Sequence, residues 1–526
     1  MKKKQVLILA VVVTLIFSFL VGRVGFAKAE STQGSLYDYM KLFTDVITKL
    51  NQVHVEEIDA QEIFESAING MLDSLDPYTT LLTPEEFADL QTSTKGEFGG
   101  LGIHISSGDT DYITVISVIE ATPAYKAHLM AGDEIIEVDS MSTEGWTSAK
   151  AVKHLRGPKG SEVTIKIRRE GLDEDFDVVI ERDKVKMDSV PYAYKIGDIG
   201  YIRITNFNAS TGDDLHNAMV ELEKQGVKGL LIDVRSNPGG LLSTAIETVD
   251  QFLPKNKLVV ETKGRVATFN RKFYTKDNYA FEGIPIIVMV NQASASAAEI
   301  FSGSLQDWDK ALVVGKNSFG KGSVQQLFPL PMNYGLKITT SKYYIESGRC
   351  IHDDANEDAI KKNKRIDLTK KSIKDKDSTQ VFYTVSGREV YGGGGITPDI
   401  IIEQDTLNSF EMEVRRNNVF FPFAVEFLSQ VDIDKNFYVD DELFDKFVDS
   451  IVKKGIEFTD EELADSEPWL RNALESQIIS NKFGLEEGNK IATRNDPQLQ
   501  AALKLFEKYG SLNEMFAYAD ELAEKE

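Results

Sequence analysis

Between Gly200 and Val314 short apolar runs alternate with amphipathic helical stretches, which predicts an α/β protein built on a mainly parallel sheet. Two further observations complete the outline. From Gly96 to about 183 the period shortens to β-rich runs between glycine turns, the mark of a small separate domain. Before 96 and after about 406 the apolar residues recur at helical spacing. The 526 residues are 42% hydrophobic and 27% charged, and at roughly 100–200 residues per domain they allow three to five domains.

Taken in order, Lys2, Lys3 and Lys4 precede an apolar run from Val6 to Gly22, the form of an export signal. Ala27-Lys28-Ala29 offers a cleavage site before Glu30, while Arg23 leaves room for an uncleaved anchor, so residues 1–29 are a signal peptide or membrane anchor and the rest is exported to the periplasm or cell envelope. Over 30–95 the spacing of Leu36, Met40, Phe43, Ile47 and Leu50 predicts helices, and Thr83-Pro84 caps another. In 96–183 the predicted strands are Ile113–Ile119, Glu134–Val138, Val163–Arg168 and Phe176–Glu181. From 184 to 405 the order is strand Gly200–Ile204, helix Asp213–Lys224, strand Gly229–Val234, helix Leu241–Leu253, strand Ile284–Val290, helix Ala297–Trp308 and strand Ala311–Val314. Residues 353–390 read as a flexible polar insertion and 406–526 as an acidic helical domain, its last helix starting at Asp496-Pro497.

Several function classes fall away on composition. A net charge of −24 repels phosphate backbones and argues against a nucleic-acid partner. A single cysteine, Cys350, excludes internal disulfides and CxxC sites, and the six histidines form no HExxH pair, so neither a metal nor another cofactor is expected.

Four segments carry chemistry. Gly99-Gly100-Leu101-Gly102-Ile103 is a loop whose backbone N–H groups can converge on an anion such as a terminal carboxylate; the plain alternative is a hairpin turn. With Ala121-Thr122-Pro123-Ala124, Met130–Ile136 and Leu155–Gly160 following in order, the segment resembles a PDZ domain, which implies capture of polypeptide C-termini at Gly100, Leu101, Gly102 and Ile103. Asp233-Val-Arg-Ser-Asn-Pro-Gly-Gly240 ends a strand and opens a helix, where glycine N–H groups can stabilise an anion; it is equally an ordinary strand-to-helix turn. In Asn291-Gln-Ala-Ser-Ala-Ser-Ala-Ala-Glu299, Ser296 with Glu299 makes a routine capping box, yet a serine at a helix tip is also placed to act as a nucleophile. With no GxSxG or GNSGG motif present, the available general base is Lys321 in Asn317–Gln325. It must be neutral to serve, and every unit by which burial lowers a lysine from about 10.4 costs about 1.4 kcal/mol. Gly315–Lys321 also spells GxxxxGK, but Gly322 replaces the magnesium-binding Ser/Thr and a strand replaces the helix of a P-loop.

Together LDPYTTLLTPEEF, GEFGGLGI, DVRSNPGG, NQASASAAEI, SFGKGSVQ, LKITTSKYY and GGGGITPDI resemble the C-terminal processing peptidases, continuously over about 70–405. The resemblance implies a crotonase-like α/β core with an inserted PDZ domain, Ser296 (not Ser294) as nucleophile, Lys321 as base, Gln325 as its orienting amide, and oxyanion donors from Ala297 and either Gly239 or Gly240. It further implies hydrolysis of tailed polypeptides through an acyl-enzyme, gating by the PDZ domain with Arg156 as a candidate signal residue, and a homodimer built by the terminal helices. Tyr78 stands where a histidine is common. The readings from other classes are a catalytically silent tail-binding scaffold and a nucleotide binder using Gly315–Lys321.

Overall fold

The computed structural model describes residues 35–108, 110–172, 174–276, 283–362, 380–403 and 406–525, so the export segment lies outside the described residues. Among them no helix is long and apolar enough to cross a membrane. The chain divides into two compact units at Met71/Leu72. The first is helical. Helix Leu36–Val53 starts at a Ser35–Asp38 capping box and leaves Leu36, Tyr39, Met40, Phe43, Val46 and Leu50 exposed along one face, with Phe43 edge-on to Phe64 of helix Ala60–Asp73.

The second unit is organised by a six-stranded sheet in the order Tyr192–Ile196, Ile199–Arg203, Gly229–Asp233, Ile286–Val290, Leu312–Gly315, Ile400–Ile401. The first pair is antiparallel and every later pair parallel. The central strands are apolar up to Asp233 at the end of one of them, because both of their faces are covered. Leu230, Ile232, Ile286, Val288 and Val313 face helices Thr211–Lys224, Leu242–Asp250 and Ala297–Asp307. Leu231, Ile287, Met289, Leu312 and Val314 face helices Pro497–Lys508 and Leu512–Lys525. The helices after 406 thus divide: Phe410 to Ile478 form a core of their own, while the last two close the far side of the main sheet.

Strands between Ile103 and Glu181 form a separate antiparallel sheet with its own core of Leu101, Ile113, Val115, Ile135, Val163, Ile165 and Ile180. Glu97–Gly100 pairs with Asp183–Lys186, bringing the two ends of this small domain together.

Two expectations need correction. Residues 36–90 are not all helical. Thr80–Leu82 is a strand that joins Gly335–Tyr344 at Thr80↔Lys337, a pairing that no local period announces. The stretch 353–390 is also not featureless where it is described. Asp353 caps helix Asp354–Lys361, and Gln380–Tyr383 forms a hairpin with Glu389–Gly392. Asn356 is buried, and its Nδ2 donates to Phe319 O at 2.6 Å, holding that helix against the loop that carries Lys321.

Candidate active site

Three loops meet at the C-terminal ends of the parallel strands. Beyond Ile286–Val290, Ser294 is fully buried; its Oγ donates to Val234 O at 2.8 Å and accepts Asn291 N–H at 2.9 Å, a structural role. Ser296 is half-buried at the tip of helix Ala297–Asp307 and has φ 55°, ψ −112°. A side chain bearing a Cβ holds such a backbone only when its surroundings impose it, and such strain concentrates at functional sites. Here the capping box supplies part of the constraint, Glu299 Oε2 accepting Ser296 N–H at 2.7 Å.

The second loop follows Gly229–Asp233. Ser236 N–H donates to Asn291 Oδ1 at 2.7 Å, and Asn237 O accepts Ala295 N–H at 2.9 Å, so the turn is sewn to the serine loop. Gly239 has φ 97°, and a Cβ there would lie 2.7 Å from Ser296 Cβ and 2.8 Å from Ala297 N, so only glycine lets the two loops approach. The Gly239 N–H donates to Asn237 Oδ1 at 2.8 Å. Of the two glycines named as oxyanion donors, Gly239 thus has its N–H engaged within its own turn. Gly240 N–H and Ala297 N–H are not engaged by any hydrogen bond among the described residues.

Asp233 is buried at the root of this turn. Its carboxylate accepts from Arg203 Nη1 at 2.7 Å, Tyr201 Oη at 3.1 Å and Arg235 Nη2 at 2.8 Å. Burial raises its pKa, but Arg235 and Arg203 outweigh that and hold it at about 2. Arg235 in turn donates to Asp496 Oδ2 at 2.6 Å and Gln498 Oε1 at 3.0 Å, at the start of helix Pro497–Lys508.

The third loop brings Lys321. Glu299, fully buried, collects four donors: Ser296 N–H and Lys321 N–H (2.9 Å) on Oε2, Gly320 N–H (2.6 Å) and Ser318 Oγ (2.5 Å) on Oε1. Burial lifts this carboxyl above its usual range against the pull of those donors. On the other side Tyr343 Oη donates toward Lys321 O at 2.5 Å and Ser296 O at 3.1 Å. Two buried side chains thus grip the backbones of both Ser296 and Lys321. Burial lowers the Lys321 amine, Lys337 lowers it further and Glu299 opposes them. Among the described residues Lys321 makes no ion pair, and its Nζ lies 4.9 Å from the Tyr78 ring centroid. Gln325 lies on the strand Ser323–Pro329 that follows this loop, its Nε2 donating to Ser323 Oγ at 3.0 Å and Thr339 Oγ1 at 3.3 Å.

The nucleotide reading fails here. The Gly320 and Lys321 N–H groups that would cradle a phosphate are filled by the Glu299 carboxylate, and a strand, Ser323–Pro329, follows instead of a helix. Sequence reasoning used Glu299 only as a helix cap and gave Tyr343 and Tyr78 no function. Their one signal was position within the shared motifs.

In the small domain Leu101 O accepts Ala124 N–H at 2.8 Å and Gly102 O accepts Ile119 N–H at 2.9 Å, which spends the loop's carbonyls internally. Among the described residues the Leu101 and Gly102 N–H groups have no backbone partner, and Gly102 has φ 84°. Gly100 precedes them at the end of its strand, and Ile103 begins the next. Arg156 caps helix Ser148–Leu155, lies with its guanidinium 4.3 Å from the Phe98 ring centroid and faces Asp89 of helix Pro84–Lys95 at 3.7 Å; Lys153 of the same helix pairs with Glu85 at 3.0 Å. Arg156 is therefore not a free surface arginine. Among the described residues no group of three or more His, Cys, Asp or Glu side chains is placed to hold a metal.

Residues 198–361 match the model of peptidase family S41, 90–168 that of the PDZ domain, and 410–484 that of a family of unknown function. The chain is 41% identical over 325 residues to a carboxy-terminal-processing protease of Bartonella bacilliformis, covering 61% of this chain and 74% of that protein. A carboxyl-terminal-processing protease of Synechocystis is 34% identical over 295 residues, covering 55% of this chain and 68% of the other. The carboxy-terminal processing protease CtpA of Bacillus subtilis is 28% identical over 477 residues, 90% of this chain and 97% of its own length.

Proposed function

The chain belongs to the C-terminal processing proteases, serine-type peptidases of family S41 with a PDZ domain that act on polypeptide tails, and from that premise we propose that Ser296 and Lys321 form its catalytic dyad. The observation that carries the proposal is the double grip of Glu299 and Tyr343, which holds the two residues to one frame although they belong to different loops. Neutral Lys321 takes the Ser296 Oγ proton as the oxygen attacks the scissile carbonyl. The oxyanion that develops faces the N–H groups of Ala297 and Gly240, at the positive end of helix Ala297–Asp307. Lys321 then protonates the departing amine, and water activated by the same amine releases the acyl group from Ser296. Gln325, whose Nε2 donates to Ser323 and Thr339, is assigned the role of orienting the lysine through its remaining amide oxygen. The helices and parallel strands of 184–405 are read as a crotonase-like core, and the Lys2–Ala29 segment as the means by which the protease reaches the outside of the cytoplasm.

The pH dependence tests the dyad. Because burial lowers the Lys321 amine, kcat/KM is expected to rise through a single ionisation below the ordinary lysine range and to ignore chelators. A bell with its acid limb in the carboxylate range, or inhibition by EDTA, overturns it. The same burial predicts a stability effect. A lysine whose folded pKa lies below its unfolded one binds fewer protons when folded, so stability rises with pH between the two values, and below that window the burial cost is fully present. Lys321→Met is therefore expected to melt higher than wild type near neutral pH while losing activity.

The tail's terminal carboxylate is assigned to the Leu101 and Gly102 N–H groups, with Gly100 and Ile103 flanking, and Arg156 is the gating residue. Its stacking on Phe98, next to that loop, and its exposed ion pair to Asp89 join the PDZ domain to helix Pro84–Lys95. Surface pairs are worth about 0–1 kcal/mol, weak enough for a bound tail to rearrange. Arg156→Ala is expected to lose the preference for a free C-terminus. If it still distinguishes tailed from tail-capped substrates as wild type does, the gate lies elsewhere.

A further inference from the structure

We propose that Tyr78 is a positioning residue of this protease: its ring roofs the Lys321 amine and keeps water from it. The proposal rests on the reading of Lys321 as the general base. The turn that carries Tyr78 lies far away in sequence, yet it is locked in place from several sides. Asp76 Oδ1 accepts the N–H groups of Tyr78 and Thr79 at 2.9 Å each and Thr339 Oγ1 at 2.9 Å, while Thr79 Oγ1 donates to Asp76 Oδ2 at 2.6 Å. Thr339 belongs to the strand paired with Gln325, and its Oγ1 accepts from the Gln325 amide alongside Ser323 Oγ. Thr80–Leu82 then extends the same sheet at Thr80↔Lys337. The result sets the half-buried Tyr78 ring 4.9 Å from Lys321 Nζ.

The charged groups around this pair are Glu299 from the serine helix, Lys337 from strand Gly335–Tyr344, and Asp76, Asp353 and Glu357 on the tyrosine's side. Burial and those carboxylates push the Tyr78 hydroxyl up to about 12, so the phenol stays neutral through the working range and gives the lysine no counter-ion. An aromatic face attracts an ammonium, which alone would favour the charged amine. Exclusion of water acts the other way and is the larger effect for a buried lysine. A roof that is apolar and uncharged therefore leaves Lys321 ready to accept a proton.

The test compares kcat/KM against pH for the full-length wild type, Tyr78→Phe, Tyr78→Ala and Lys321→Ala, with melting curves for each. Tyr78→Phe is expected within about twofold of wild type with its limb unmoved, since the ring remains. Tyr78→Ala is expected to displace the limb alkaline by about one unit, a loss of about tenfold near neutrality that is regained at high pH, with KM unchanged. A Tyr78→Ala limb in the wild-type position overturns the proposal, whatever the size of the activity loss, because a merely structural role would lower the whole curve. If Tyr78→Ala fails to fold, Tyr78→Gln keeps bulk while admitting water, and the same displacement is required of it. Turnover by Lys321→Ala at the wild-type rate sinks the reading of the base itself, an outcome separate from the behaviour of the tyrosine variants.

Discussion

Purified Ser296→Ala protein is expected to lose peptide hydrolysis by about four to six orders of magnitude, because without the hydroxyl no acyl-enzyme forms and only binding and the oxyanion donors remain. Lys321→Ala should fall by a similar amount. Lys321→Arg should be as inactive, since a guanidinium does not surrender its proton at any accessible pH. The double variant should be no worse than either single one, as groups that act in one step do not add. The measurement is single-turnover cleavage of a tailed polypeptide, with the new C-termini read by mass spectrometry and a serine-reactive probe mapped to its residue. Retained turnover in Ser296→Ala removes the nucleophile from the proposal. A wild-type protein that binds tails but neither cuts them nor takes the probe at Ser296 is the silent scaffold instead.

The largest effect on stability is expected at Arg235. Asp233 is 1% exposed, and removing its bidentate partner leaves a buried carboxylate with Arg203, Tyr201 and the backbone N–H of residue 235. Breaking one side of a buried ion pair costs about 3–5 kcal/mol, so Arg235→Ala should lower the melting transition of the catalytic body well below that of wild type. Arg235→Lys should rescue little, because a point charge cannot bridge Asp233, Asp496 and Gln498 as the planar fork does. The pH sign follows from the depressed carboxyl: its contribution is present above the unfolded aspartate value of about 3.9 and is lost as pH falls through about 2. A melting curve for Arg235→Ala indistinguishable from wild type at neutral pH would falsify this account of the network.

The parallel strands were legible because burial on both faces writes itself as an unbroken apolar run, as in Leu230–Ile232 and Ile286–Val290. Three kinds of feature were not. Thr80–Leu82 is too short to show a period, and its partner lies far along the chain. The start of a helix at Asp496-Pro497 is legible, but not what it packs against, so the place of Leu499, Leu503 and Phe516 on the main sheet emerges only in three dimensions. That Gly239 N–H is engaged by the Asn237 side chain while Gly240 N–H is not is likewise something spacing does not encode. Glu299 shows how a correct local reading can be incomplete: it caps the helix, as its spacing says, and with the same carboxylate holds the lysine loop.

The bond from Arg235 to Asp496 has a bearing on the order in which the fold can be completed. A ribosome delivers the Asp233–Gly240 turn long before it reaches Asp496, so a nascent chain holds that turn without its outer clamp and with one face of the main sheet bare. The turn and the sheet face beside it are therefore completed only by residues from 496 onward, and a chain cut before residue 496 is expected to leave both unsupported.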